Sequence, residues 1–182
     1  GHREKVPPMA YLRPTRPTRA DVAIEELARE SVAGVAKTAE LDRAHALATV
    51  VAEAIAYTPD ATDAHTTASE ALAGKAGVCQ DHAQAMIAVA RASGLPARYV
   101  SGYLLADADG IAHEAAHAWA EVWVPGLGWV GFDPANECCP DARYIRLGSG
   151  LDAQDAAPIR GTARGSGEER LGVTVAVQSV QQ

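Results

Sequence analysis

Apolar side chains recur at helical spacing through the first half of the chain and alternate with polar ones through much of the second. Asp21 caps a short predicted helix that runs through about Ala33, and Leu41, Ala44, Ala48, Val51 and Ile55 mark a longer one that Tyr57-Thr58-Pro59 ends. Thr67 or Ser69 starts a brief helix around Glu70-Ala71-Leu72-Ala73, closed by Gly74. Cys79, Ala83, Met86 and Ala90 then share one face of a helix that ends near Gly94. Beyond it the period changes. Arg98 to Leu105 is β-rich, with Asp107 to Gly110 as its turn. His117 to Val124 alternates strictly, so His117, Trp119, Glu121 and Trp123 fall on one face. Pro125-Gly126-Leu127-Gly128 supplies a turn, Trp129 to Asp133 returns, and Pro134 stops it. Tyr144 to Leu147 and Leu171 to Val180 read as further strands, separated by a Gly- and charge-rich loop over 161–169. Residues 1–20 carry Pro7, Pro8, Pro14 and Pro17 without periodicity and read as an extended linker or tag-derived arm, leaving 21–182 as one domain.

Folding the hairpin about Gly126 and Leu127 sets Trp119 opposite Asp133, with His117 the diagonal neighbour on the same face. Diagonal side chains lie about 7–8 Å apart at the backbone, a gap that His and Asp can bridge. A register slip of one residue would separate them onto opposite faces. A satisfied core histidine and a strand-end aspartate are the bland alternatives.

Cys79 adds the chemistry. It follows Gly77-Val78 and opens a helix, where unpaired N–H groups and the positive end of the macrodipole favour a thiolate over a thiol. A buried, inert core cysteine is the alternative. A thiol, an imidazole and a carboxylate in the order Cys79, His117, Asp133 make an acyl-transfer site if they meet in space.

Gly77-Val78-Cys79-Gln80-Asp81, Gly94-Leu95-Pro96-Ala97-Arg98-Tyr99-Val100-Ser101-Gly102-Tyr103, His117-Ala118-Trp119-Ala120-Glu121-Val122 and Gly128-Trp129-Val130-Gly131-Phe132-Asp133-Pro134, four blocks in order, resemble the transglutaminase-like superfamily of papain-type thiol enzymes, in particular its bacterial putative cysteine protease branch. Similarity continues through Asp155 to Gly161 and covers most of the chain from about residue 40. The resemblance implies an α+β fold with a papain-like transglutaminase core, the cysteine-bearing helix packed on an antiparallel β-sheet. It also implies a catalytic triad of Cys79 as nucleophile, His117 as general base and acid, and Asp133 as orienting carboxylate. Two positions depart from the family pattern: His82 stands where an aromatic residue is common, and Ala135 where threonine is. His82, three residues after Cys79 on the same helix, competes with His117 as the partner of the sulfur. Only His117 has a carboxylate on its own face to fix its tautomer.

The expected activity is hydrolysis of peptide or isopeptide amides through a Cys79 thioester, as in a cysteine peptidase or amidase. A transglutaminase using an amine acceptor, or a non-catalytic scaffold that keeps the papain-like core, are the alternatives. Gln80 is a candidate second oxyanion donor by position. Trp119 and Trp129 are candidates for the cleft wall, and Arg98 and Tyr103 for its lining, against the commoner fates of core packing and of an arginine paired with a carboxylate.

Composition limits the partners. Sixteen basic against twenty-three acidic residues give a net charge of −7, and no basic stripe with interleaved aromatics suggests nucleic acid. No run is long enough to cross a bilayer and no apolar leader is visible, so a cytoplasmic protein acting on a peptide or protein substrate, not on a membrane, is the expectation. The chemistry calls for no cofactor and no metal. Cys138 and Cys139 are adjacent, which disfavours a bond between them, and a zinc site built with His113 or His117 lacks the spacing of a zinc knuckle. Oligomeric state is not legible.

Overall fold

A computed structural model describes residues 6–105 and 116–158. The expected turn at 107–110, His113, the loop over 161–169 and the strand from Leu171 lie outside the described residues. In chain order the elements are α1 (Val22–Ser31), α2 (Glu40–Ala54), β1 (Ala56–Tyr57), α3 (Ala68–Gly74), β2 (Ala76–Gly77), α4 (Cys79–Ala92), β3 (Ala97–Leu104), β4 (Ala116–Val124), β5 (Gly128–Phe132) and β6 (Tyr144–Gly150). Single 3₁₀ turns occupy Pro8–Leu12 and Pro134–Asn136.

The helix starts follow their capping chemistry. Asp21 accepts a hydrogen bond from the Ile24 N–H at 2.9 Å, and at Thr67 the side chain accepts from the Glu70 N–H while Glu70 reaches back to the Thr67 N–H. Each such cap contributes about 1 kcal/mol. At the end of α3 the left-handed residue is Lys75, φ 52°, one position after the expected Gly74.

Antiparallel strands form a four-stranded sheet in the order β5-β4-β3-β6. Helix α4 lies across it, making its most extensive strand contact with β4. Every residue of α4 from Asp81 to Arg91 is buried, because α1, α2 and α3 close over the helix on its other sides. Alternation along β4 sends Ala118, Ala120 and Val122 into the core shared with Met86 and Val89, and leaves His117, Trp119 and Glu121 on the opposite face. Three small or branched residues on that strand let α4 approach the sheet closely.

Part of the segment read as an extended linker or tag-derived arm is docked. Arg91, at the end of α4, donates to the carbonyl oxygens of Tyr11 at 2.7 Å, Ala97 at 2.9 Å and Leu151 at 2.9 Å, and to the Thr18 hydroxyl at 2.7 Å. A buried guanidinium has to satisfy its donors. Here they tie residues 11–18 to β3 and to the end of β6.

Two further features shape the entry to α4. Strands β1 and β2, two residues each, pair in parallel with Tyr57 opposite Gly77. Asp81 then folds back so that its Oδ2 accepts from the Val78 N–H at 2.8 Å and from the Thr62 hydroxyl at 2.6 Å. A Cβ on Gly77 would stand 2.7 Å from the Asp81 side chain, so glycine is required here by space. Gly77→Ala is expected to lower stability by about 1–3 kcal/mol, read as a lower urea midpoint at unchanged slope.

Candidate active site

Cys79 is the first residue of α4 and is partly exposed. Asp81 fixes its backbone through the preceding N–H. Among the described residues the backbone N–H groups of Cys79 and Gln80 have no protein partner, as the first turn of a helix dictates.

The hairpin has the register read from its turn. Ala120 pairs with Phe132 and Val124 with Gly128, which carries Trp119 to the level of Asp133. Strand β5 ends there, and the His117 end of β4 runs on past it. His117 Nε2 donates to Asp133 Oδ2 at 2.6 Å, and Cys79 is near enough to the same ring to favour its protonated form. Because Asp133 takes Nε2, Nδ1 is the nitrogen left for the thiol.

Asp133 is 1 % exposed, yet four donors surround it. Oδ2 accepts from His117, from the Asn136 amide at 2.8 Å and from the Tyr144 hydroxyl at 2.8 Å, while Oδ1 accepts from the Ala135 N–H at 3.1 Å. Burial works against its charge, and these hydrogen bonds, led by His117, outweigh it and hold the pKa below the usual carboxylate value. Burial also opposes the His117 imidazolium. The hydrogen bonds to Asp133 and Cys79, with the charges of both, overcome it and push the ring up to about 9. Tyr144 is pushed up by burial, by its contact with the Cys138 sulfur at 3.2 Å and by Asp133, so it remains a donor.

Trp119 stacks on His117 with ring centroids 6.2 Å apart, and Tyr144 meets Trp119 edge-on at 5.3 Å. This aromatic wall explains Gly102, which pairs with His117 across the ladder. A Cβ there would strike the Ile145 carbonyl and come within 2.8 Å of the Trp119 ring.

Other candidates from the sequence sit elsewhere. His82 is buried, its Nδ1 and Nε2 each 2.9 Å from a backbone oxygen, of Val78 and Ile55 respectively. It clamps the start of α4 to the end of α2 and has no nitrogen left for the sulfur. The Gln80 amide turns to the Asp63 carbonyl at 3.5 Å. Tyr103 pairs with Ala116, which puts it on the face of β3 opposite to the His117 group. Arg98 pairs with Glu121 at 2.6 Å and lies over the Trp129 ring at 4.0 Å, so Arg98 and Trp129 pack with each other. Asn136 and Tyr144 were not singled out from the sequence. The spacing Asp133-Pro134-Ala135-Asn136, a turn in which the amide can reach back, was the available signal for the first. A cavity of about 300 Å³ behind Asp133, lined by His45, Phe132, Pro134 and Cys138 among others, excludes both Cys79 and His117. Among the described residues no helix is long and apolar enough to cross a membrane, and no group of three or more His, Cys, Asp or Glu is arranged to hold a metal.

A family model for the transglutaminase-like superfamily matches residues 25–134. The chain belongs to this superfamily. The match runs from α1 through the cysteine and histidine blocks to Pro134. An uncharacterized protein of Mycobacterium tuberculosis is 44% identical over 114 residues, which cover 58% of this chain and 36% of that protein. A protein-glutamine gamma-glutamyltransferase of Pseudomonas aeruginosa is 36% identical over 108 residues, 55% of this chain and 16% of that protein. Among solved structures, a putative cysteine protease from Cytophaga hutchinsonii superposes with a TM-score of 0.68 at 27% identity, covering 82% of this chain and 48% of that one. The periplasmic domain of TgpA from Pseudomonas aeruginosa gives 0.54 at 30%, covering 71% and 47%. This member of the superfamily thus spans about a third of the length of its mycobacterial relative and about half of the solved chains. Its fold is the papain-like transglutaminase core, with the cysteine-bearing helix on an antiparallel sheet.

Proposed function

We propose that the domain cleaves peptide or isopeptide amides through a thioester on Cys79, with water as the acceptor. The observation that carries this reading is the His117 ring bonded at 2.6 Å to the buried Asp133 carboxylate, with Cys79 near enough to favour the ring's protonated form. A thiol becomes a nucleophile when an adjacent base takes its proton and a third group holds that base in one tautomer. In the proposed reaction the Cys79 sulfur adds to the substrate carbonyl carbon. The C–N bond then breaks as His117 gives its proton to the departing amine. Water next attacks the thioester, His117 accepts its proton, and the acid leaves as the C–S bond breaks and the thiol is restored.

Transamidation is the second reading, and the gamma-glutamyltransferase relative favours it. The two differ only in what resolves the thioester. A panel of peptide and isopeptide amides, with and without an added primary amine, is to be compared for wild type and Cys79→Ala. Hydrolysis predicts a carboxylic acid product that depends on Cys79 and persists when amine is present, whereas transamidation predicts an amide conjugate in its place. Equal behaviour of wild type and Cys79→Ala would contradict both.

A further inference from the structure

We infer that the Tyr57 phenol donates the second hydrogen bond to the oxyanion formed at Cys79, completing with the Cys79 backbone N–H an oxyanion hole. The assignment rests on the thiol chemistry proposed above and names a residue for a role that chemistry leaves open. When the sulfur lone pair forms the C–S bond, the carbonyl π pair moves onto oxygen. Preorganised donors aimed at that oxygen are worth far more in a site shielded from water than in bulk solvent. The N–H of Cys79 is one, unpaired among the described residues. A second donor must be fixed relative to the sulfur, open to substrate, free of other acceptors and protonated at the working pH.

Tyr57 meets these conditions. It is fixed, because it pairs with Gly77, two residues before Cys79, and the adjacent Thr58 N–H donates to the Gly77 carbonyl at 2.8 Å. The ring rests beside His82, with centroids 6.3 Å apart. His82 is itself immobilised by its two carbonyl contacts. Tyr57 is open, at 58 % exposure. Burial of the phenol, followed by the charges of Cys79 and Asp133, raises its pKa, so the O–H keeps its proton and lies within electrostatic reach of both groups.

Most neighbouring side-chain donors face other groups or are buried. The Gln80 amide turns to Asp63, both His82 nitrogens face carbonyls, the Tyr144 hydroxyl serves Asp133, and Trp119 is 3 % exposed. The Tyr57 hydroxyl has no hydrogen-bond partner among the described residues. Among the described residues it is an exposed side-chain donor on the strand paired with Gly77, two residues before Cys79.

The test uses p-nitrophenyl acetate, whose acetyl group passes to the Cys79 sulfur with release of p-nitrophenolate before water frees acetate. Tyr57→Phe keeps the ring and deletes only the hydroxyl. The expected result is a fall in kcat of about 10²–10³-fold with KM little changed. Alkylation of Cys79 by iodoacetamide, which develops no oxyanion, is expected to stay within about twofold of wild type. Tyr57→Phe retaining wild-type kcat would overturn the assignment, as would a matching loss of alkylation rate, which means that the thiol itself was disturbed. Should Tyr57→Phe be silent while Tyr57→Ala raises KM, the ring contacts substrate and the hydroxyl donates nothing. Absence of any Cys79-dependent turnover in wild type would overturn the catalytic reading itself, separately from these outcomes.

Discussion

Asparagine in place of Asp133 is expected to lower kcat by about 10⁴-fold with little change in fold. The carboxylate accepts from His117, Asn136, Tyr144 and the Ala135 N–H and donates nothing. An amide of the same shape has one oxygen to share among those donors. Its NH₂ would face another donor, and the ring best relieves this by moving its proton to Nδ1, the nitrogen left for the thiol. A ring protonated there and bare at Nε2 cannot take the thiol proton. The pH profile should shift as well. His117 is pushed up to about 9 despite its burial, through its bonds to Asp133 and Cys79, so the alkaline limb of the wild-type rate, where the imidazolium is lost, falls near that value. Removing the carboxylate charge moves the limb toward the ordinary value of 6.5. Stability follows the same linkage. The imidazolium pair contributes fully below about 6.5 and is lost as pH rises through about 9. The Asp133 contribution is present above its ordinary 3.8 and is lost as pH falls through its lower folded value. Denaturant titrations of wild type and Asp133→Asn across this range should therefore diverge most between these limits. An alkaline limb that Asp133→Asn leaves in place would contradict the assignment.

His117→Ala is expected to remove more activity still, about 10⁴–10⁶-fold in kcat, because proton abstraction and leaving-group protonation both pass through one ring. Asp133 acts only through that ring, so the double variant His117→Ala/Asp133→Asn should be no slower than His117→Ala alone. Parallel losses that multiply would mean that Asp133 has a separate role. The ring also packs on Trp119 and Tyr144. His117→Gln, which fills more of that space, distinguishes lost chemistry from lost packing: it should match the alanine variant in rate and exceed it in thermal stability.

Local signals carried the sequence reading a long way. Strict alternation and one glycine-rich turn fixed the β4–β5 register, and with it the approach of His117 to Asp133, because a hairpin converts sequence spacing directly into geometry. The cysteine at a helix start needed only Gly77-Val78 before it and an apolar period after it. What escaped depends on long-range pairing. Tyr144 reaches Asp133 from β6, on the far side of β3 from β4, and nothing near Tyr144 in the chain announces it. Strands β1 and β2 are two residues long, too short for any periodicity, so the placement of Tyr57 beside Gly77 was invisible. His82 was misleading for the opposite reason. Its spacing from Cys79 suggested a partner for the sulfur, while the Ile55 carbonyl, 27 residues away, claims one of its nitrogens. The proline-rich start looked like a linker because the buried Arg91 that holds it lies 80 residues beyond Tyr11.

The reactivity of the three thiols toward iodoacetamide, followed residue by residue by mass spectrometry near neutral pH, tests the central claim most directly. Cys139 is pushed up by burial and by Cys138, whereas Cys79 sits at a helix start against a ring that carries a proton up to about 9. The expected result is modification of Cys79 at least about tenfold faster than Cys138 or Cys139, with that advantage lost in His117→Ala. Equal, slow modification of all three, unchanged by His117→Ala, would contradict it.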